Sequence, residues 1–359
     1  MQDESIKEVR ENSKFSSQNQ PTTDNEELNQ ILTILFDQYK AVYRLRSGEK
    51  KNSLKISAQA GQDLENYKNW LSTAHQIFRE SSRENVSLTF ASEWVLDNYY
   101  IIRQTLRQIE EDLPSGFYQQ LPRLSDGVLQ GYPRIYALAR TILSNQNLLI
   151  NPETLQTILI QFQKGATLTV GEVWAFPIFL RYSLIEFLSQ ALLIIINPTK
   201  KPSLPNILPL PPGIPNPIPD IVSDPRETTV SNSVANIILS LRTISEQNWK
   251  DFFEKVSCLE RTLRAEAAGI YERMDFETRD QYRNEIEKLA LEMQMDECEL
   301  AEKLVNLAKT GNLSRKGTSF LDDKSRGKLD PEADLLINSK VNLVHEKVTI
   351  EHIDRKSVV

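Results

Sequence analysis

TVGEVWAFPIFLRYSLIEFLSQALLIII, Thr169–Ile196, is the longest apolar run in the chain, and its reading decides the fold. Apolar residues occupy every flank of the run, the pattern of a helix buried on most sides. Val173–Ile196 is long enough to cross a bilayer. Its content argues against that: Arg181 and Glu186 stand mid-run, and a charge at the centre of a spanning helix costs about 2.5–3.5 kcal/mol on insertion scales. Ser183, Ser189 and Gln190 add polar groups, and Pro177 removes a backbone hydrogen bond. The run therefore predicts the central helix of an all-α fold rather than a membrane span. Arg181 and Glu186 are expected to pair with neighbouring helices and fix their register. Thr169 and Glu172 have the spacing of a capping box that starts the helix.

Working outward, the segments on either side also read as helices. Met1–Asn25 is rich in Ser, Gln, Asn and Glu and is expected to be disordered. Leu28, Ile31, Leu32, Leu35, Phe36, Tyr39 and Val42 predict a helix over Glu26–Leu45, followed by a charged loop over Gly48–Ser53. Further helices are predicted over Gly61–Arg79 and Thr89–Glu111. The prolines of Leu113–Leu124 predict a compact turn. Pro133 predicts a first helical position leading to Leu143, and Asn151-Pro152 an N-cap and first position leading to Phe162. Asn197–Pro225 holds ten of the chain's 17 prolines and can form neither helix nor central strand. Ile and Leu alternate with those prolines, which predicts a linker or strap packed on the domain. Helices resume over Ser231–Ile244, Asn248–Val256 and Ser257–Arg264. Thr278–Met293 and Leu300–Lys309 then form a helical hairpin, with Asp296 and Glu299 boxing the second start and Gly311 as its stop. From Asn312 onward charge is high and periodicity poor.

The expected architecture is an all-α multi-helix bundle with a long central helix, a Pro-rich strap and a C-terminal helical hairpin. Its expected divisions are a helical domain over residues 26–196, the strap over 197–230, a second helical subdomain over 231–311, and a poorly ordered tail over 312–359.

Composition narrows the function. A net charge of -7 speaks against a general nucleic-acid binder. Two cysteines, Cys258 and Cys298, are too few for a disulfide framework, and His75, His345 and His352 lack metal-ligand spacing. Twelve glycines speak against an α/β nucleotide fold, and no dinucleotide, P-loop or nucleophile-elbow motif is present. The polar, acidic N-terminus has no hydrophobic h-region, so no signal peptide is expected. No catalytic residue and no metal ligand is assigned.

Four groups are candidates for carbohydrate or partner contacts. Trp94, Asp97 and Asn98, with Tyr99, combine rings with polar groups, although such rings on a long helix usually serve the core. Tyr132, Arg134 and Tyr136 flank a helix start whose free N–H groups suit an anion. Glu172, Trp174 and Arg181 lie on the central helix. Arg279, Asp280 and Arg283, beside Asp275, Thr278 and Tyr282, crowd charge into two turns and read first as caps and ion pairs.

Six blocks in order carry a family resemblance: ASEWVLDNYYII (91–102), DLPSGFYQQLPRL (112–124), GYPRIYALA (131–139), LTVGEVWAFPIFLRYSLIEFL (168–188), the stretch from Ser231 to Arg264, and MDFETRDQYRNEIEKLA (274–290). Together they resemble the N-terminal region of cyclic β-1,2-glucan synthases. The resemblance implies a helical region preceding a membrane-embedded glycosyltransferase that uses UDP-glucose, with phosphorylase-like domains beyond it. No transferase aspartate motif or QxxRW-like sequence is found, and Asp322-Asp323 lies in a charged, aperiodic segment. UDP-glucose and a divalent metal are thus expected only in the transferase domain. That domain is the implied partner, at the cytoplasmic face of the inner membrane. One frame of a common sequencing adapter encodes DRKSVV, Asp354–Val359, so the chain is expected to be truncated and its last residues to be adapter-encoded. Three functional readings follow: a non-catalytic module of the synthase, a stand-alone glucan-binding or protein-interaction module, and, with least in the sequence to favour it, an independent enzyme.

Overall fold

The computed structural model describes residues 20–44, 50–84, 88–113, 115–200, 202–205, 208–218, 228–266 and 269–316. Among these residues the fold is all-α, with only a minimal sheet. In chain order the elements are α1 (Gln20–Tyr39), β1 (Val42–Tyr43), α2 (Lys50–Arg83), α3 (Phe90–Asp112), α4 (Ser115–Gln120), β2 (Arg123–Leu124), α5 (Arg134–Asn145), α6 (Pro152–Phe162), α7 (Val170–Ile196), α8 (Thr228–Glu246), α9 (Trp249–Val256), α10 (Cys258–Arg264), a 3-10 turn (Tyr271–Arg273), α11 (Phe276–Met293) and α12 (Glu297–Lys316). They form two compact units, Met1–Ala166 with Trp174–Trp249, and Thr167–Val173 with Lys250–Val359.

In the first unit α7 is the central element. Leu180, Leu184, Ile185 and Leu188 are fully buried, and α7 continues through Pro177. Although α7 is long and apolar enough to cross a membrane, 83% of its most apolar window is buried inside the protein. The Trp70 indole of α2 donates to the Ser189 carbonyl of α7 at 3.0 Å. Tyr39 of α1 and Thr141 of α5 share a hydroxyl–hydroxyl bond of 2.7 Å. α3 packs on α8 and α2, while α1 packs on α5 and α6. β1 and β2 pair antiparallel, Val42 with Leu124 and Tyr43 with Arg123.

The Pro-rich segment lies against this unit as a strap. Pro211, Ile214, Pro217 and Ile218 are buried. With no N–H on its prolines, the strap is held largely through its carbonyls. Arg140 donates to Leu208 and Pro209, and Ser233 donates to Pro217 at 2.9 Å.

The second unit contains the C-terminal hairpin, in which α11 packs on α12 and α10 packs on α12. The Asp275 side chain accepts from the Thr278 amide and caps α11. Gln294 turns the chain at a left-handed φ of 53°. Asp296 then accepts from the Cys298 and Glu299 amides to start α12. At the start of α7, Thr169 and Glu172 exchange the two bonds of a capping box at 3.0 and 3.1 Å.

Several expectations need correction. α1 starts at Gln20, inside the segment expected to be disordered, with Pro21 in a first turn where a missing N–H loses no partner. It ends at Tyr39, and Val42 belongs to a strand. α2 starts at Lys50, inside the expected loop. The expected turn before Leu124 contains a short helix and β2. Pro133 is the N-cap of α5 rather than its first residue. α12 runs through Gly311, since one interior glycine costs only about 1 kcal/mol. The compact units divide after Trp249 rather than at the strap, because α8 packs on α3. Residues 1–19, 45–49 and 317–359 lie outside the described residues, and with them most of the expected disordered N-terminus, the tail beyond Lys316 and the adapter-encoded end.

Candidate functional site

The first unit contains a cleft of about 760 Å³. Its floor is built on α7, where Phe179, Tyr182 and Glu186 share a face at helical spacing. Tyr136 of α5, Tyr118 of α4 and Tyr67 of α2 complete the floor, and all of these side chains are buried. Half-buried Asp63, Asn66 and Tyr132, with exposed Gln130, form the rim. The strap supplies one wall through Ser203, Leu204, Pro205 and Leu208.

The rings run in sequence along the cleft. Tyr132 and Tyr136 have centroids 5.9 Å apart, Tyr136 and Tyr182 meet edge to face at 5.8 Å, and Tyr182 meets Tyr67 at 6.1 Å. Phe179 lies 5.7 Å from Tyr136 and 6.1 Å from Tyr118. These separations are those of favourable aromatic pairs.

The rim is set by Arg123, a fully buried residue of β2. Its guanidinium lies over the Tyr118 ring at 5.1 Å and donates to the Gly131 carbonyl at 2.8 Å. Gly131 has φ +84°, a backbone region that side-chain-bearing residues rarely adopt. Its amide bonds the Leu124 carbonyl, and the Leu124 amide bonds the Tyr132 carbonyl. Tyr132 is thereby presented at the mouth of the cleft.

Glu186 is the deepest polar group. The Tyr136 hydroxyl donates to it at 2.8 Å. Arg140 Nε lies 3.4 Å from its other oxygen, close enough to pair charges, yet Nε makes no hydrogen bond. Burial raises the Glu186 pKa, and the Arg140 charge and the Tyr136 bond oppose that rise. Burial also raises the phenols of Tyr67, Tyr132, Tyr136 and Tyr182, and the Glu186 charge adds to the rise in each. Among the described residues the lining includes two carboxylates and no lysine or arginine. The pyrophosphate of a nucleotide sugar would meet no cation among these lining residues. Among the described residues no three His, Cys, Asp or Glu side chains cluster to hold a metal ion.

Of the candidates read from sequence, the structure brings Tyr132 and Tyr136 into the cleft and disperses the rest. Arg134 is buried outside it. Trp94 packs edge to face on Phe90, and Asp97 is exposed. Asn98 kinks α3, donates to the Trp94 carbonyl, and accepts from Arg242 of α8 at 3.1 Å, so this group joins two helices. Glu172 caps α7, and Trp174 is half-buried on the same helix. The expected pairing is seen for Glu186. Arg181 forms no ion pair among the described residues; burial lowers its pKa and the Asp112 charge opposes that. Arg279 and Arg283 gather around buried Glu260 of α10: Arg283 donates at 2.8 Å, Tyr271 at 2.7 Å and Arg264 at 2.8 Å. Asp280 accepts from Arg283 at 3.0 Å, and Arg279 also pairs with Glu254.

Sequence reasoning missed Asp63, Asn66, Tyr67, Tyr118, Gln130, Phe179 and Tyr182 as lining residues. The available signals were the Asp63/Tyr67 and Tyr182/Glu186 pairs, each four residues apart on one helix.

No protein-family model matches the chain. It is similar to "Cyclic beta-(1,2)-glucan synthase NdvB" of Rhizobium meliloti (strain 1021), with 27% identity over 291 residues, covering 65% of this chain and 10% of that protein. The chain therefore spans about a tenth of the length of the relative it matches. The resemblance carried by the blocks between Ala91 and Ala290 thus extends over most of the chain: it is similar to part of a cyclic β-(1,2)-glucan synthase.

Proposed function

We propose that the chain is a non-catalytic helical module of a cyclic β-1,2-glucan synthase. It works at the cytoplasmic face of the inner membrane, supporting or regulating a UDP-glucose-dependent glycosyltransferase on the same polypeptide. One observation carries this reading: the match takes up 65% of this chain but 10% of a glucan synthase, so nine tenths of that protein is available for transfer chemistry. The geometry supports the non-catalytic part. Glu186 is occupied by Tyr136 and Arg140, and among the described residues no cationic side chain lines the cleft to receive a nucleotide diphosphate. The burial of α7 supports docking on a membrane-bound partner domain rather than insertion.

The test is removal of the matching segment from a full-length relative. Protein level is measured in isolated membranes alongside glucan formation from UDP-glucose. The proposal predicts that the shortened protein is made and that synthesis falls. Undiminished synthesis at an undiminished protein level would overturn it.

A further inference from the structure

We propose that the tyrosine-lined cleft of the first unit is a binding site for a short gluco-oligosaccharide. This rests on the module reading for the identity of the sugar; the binding chemistry comes from the cleft itself.

A pyranose ring has apolar C–H faces and a polar edge of hydroxyls, so its site needs aromatic faces beside hydrogen-bonding groups. The cleft supplies both. Its rings follow one another from Tyr132 at the mouth through Tyr136 and Tyr182 to Tyr67, at spacings of 5.8–6.1 Å. Asp63, Asn66, Gln130 and Ser203 line the same space and offer a carboxylate, two amides and a hydroxyl. The volume of about 760 Å³ falls within the usual range of ligand sites, about 300–1,000 Å³.

Charge decides between ligand classes. Among the described residues the lining has no cation to hold the phosphates of a nucleotide sugar. Burial is the main cause of the raised phenol pKa values of Tyr67, Tyr132, Tyr136 and Tyr182, and the Glu186 charge adds to each. An organic cation would suit rings and acid, but it has no use for the amides and hydroxyl at the rim, and Glu186 already has Arg140 beside it. A neutral polyol uses all of these groups.

The site is also built in advance. Arg140 holds the strap by the Leu208 and Pro209 carbonyls, and Arg123 holds the rim by the Gly131 carbonyl. Little ordering is left for the ligand to induce, which favours affinity.

The experiment titrates the full chain with linear β-1,2-gluco-oligosaccharides by calorimetry and saturation-transfer NMR, with choline and UDP-glucose as comparison ligands. Saturable binding of the oligosaccharide is expected. Tyr132→Ala should weaken it about tenfold, with the melting temperature little changed, because the ring is half-buried at the rim. Asn66→Ala should weaken it independently. The proposal is overturned if no oligosaccharide saturates the chain, if choline or UDP-glucose binds in its place, or if both variants bind like the parent. A synthase crippled by loss of the segment, with an isolated chain indifferent to sugar, would remove the site and keep the module. A chain that binds sugar, in a synthase indifferent to the deletion, would do the reverse.

Discussion

Arg140→Met isolates the interaction that organises the first unit. The Arg140 side chain is buried, lies over the Phe187 ring at 5.2 Å, faces Glu186 at 3.4 Å and holds two strap carbonyls. Methionine keeps much of the stem but removes the charge and every donor. Glu186 is then a buried carboxylate with only the Tyr136 hydroxyl as partner, and breaking a buried pair from one side costs about 3–5 kcal/mol. Chemical denaturation followed by circular dichroism measures the loss, and its pH dependence separates charge from packing. A carboxyl whose folded pKa is raised stabilises the fold below its unfolded value, and that contribution disappears as pH rises through the folded value. Burial already raises Glu186, and removing Arg140 takes away the first of the effects that oppose the rise. The variant should therefore lose least near pH ~4.3, the ordinary glutamate value, and progressively more toward neutrality. Adding Glu186→Leu to Arg140→Met should recover part of the loss. A loss below about 1 kcal/mol, or one equal at acid and neutral pH, would refute the pairing argument.

Two further perturbations test other parts of the fold. In the second unit, Glu260→Gln should cost about 3–5 kcal/mol near neutral pH, since Glu260 is the shared partner of Arg264, Arg283 and Tyr271. Burial acts to raise the Glu260 pKa, but hydrogen bonds from Tyr271, Arg264 and Arg283 outweigh it and leave the carboxyl lowered. Its contribution is present above the ordinary glutamate value and is lost as pH falls through the folded value, so the gap between parent and variant should close in acid. Gly165→Ala would place a methyl 2.9 Å from the Phe36 ring, which is stacked on Phe162 at 5.2 Å. Overpacking there should cost about 1–3 kcal/mol in a thermal melt, and Phe36→Leu in the same chain should relieve it.

Local chemistry was the part of the fold most legible in the sequence. The Thr169–Glu172 box, the Asn151 cap and the central run each depend on residues within a few positions of one another, and the structure contains all three. The strap was legible because ten prolines exclude the alternatives. Where prediction failed, distant contacts decided the outcome. β2 forms because Arg123 and Leu124 meet Val42 and Tyr43 some 80 residues earlier in the chain, and α8 joins the first unit because its apolar face meets α3. Most of the cleft was illegible for the same reason. Tyr132 and Tyr136 were readable beside a helix start, but Tyr67, Tyr118 and Tyr182 come from α2, α4 and α7, where a buried ring has the pattern of a core residue.

The proposed role assigns glucosyl transfer to polypeptide outside these helices. The most direct measurement is UDP release from UDP-glucose by the purified chain, run beside membranes containing a full-length relative. The membranes should release UDP, and the chain should release none above blank. Release by the chain that Glu186→Gln abolishes would contradict that role.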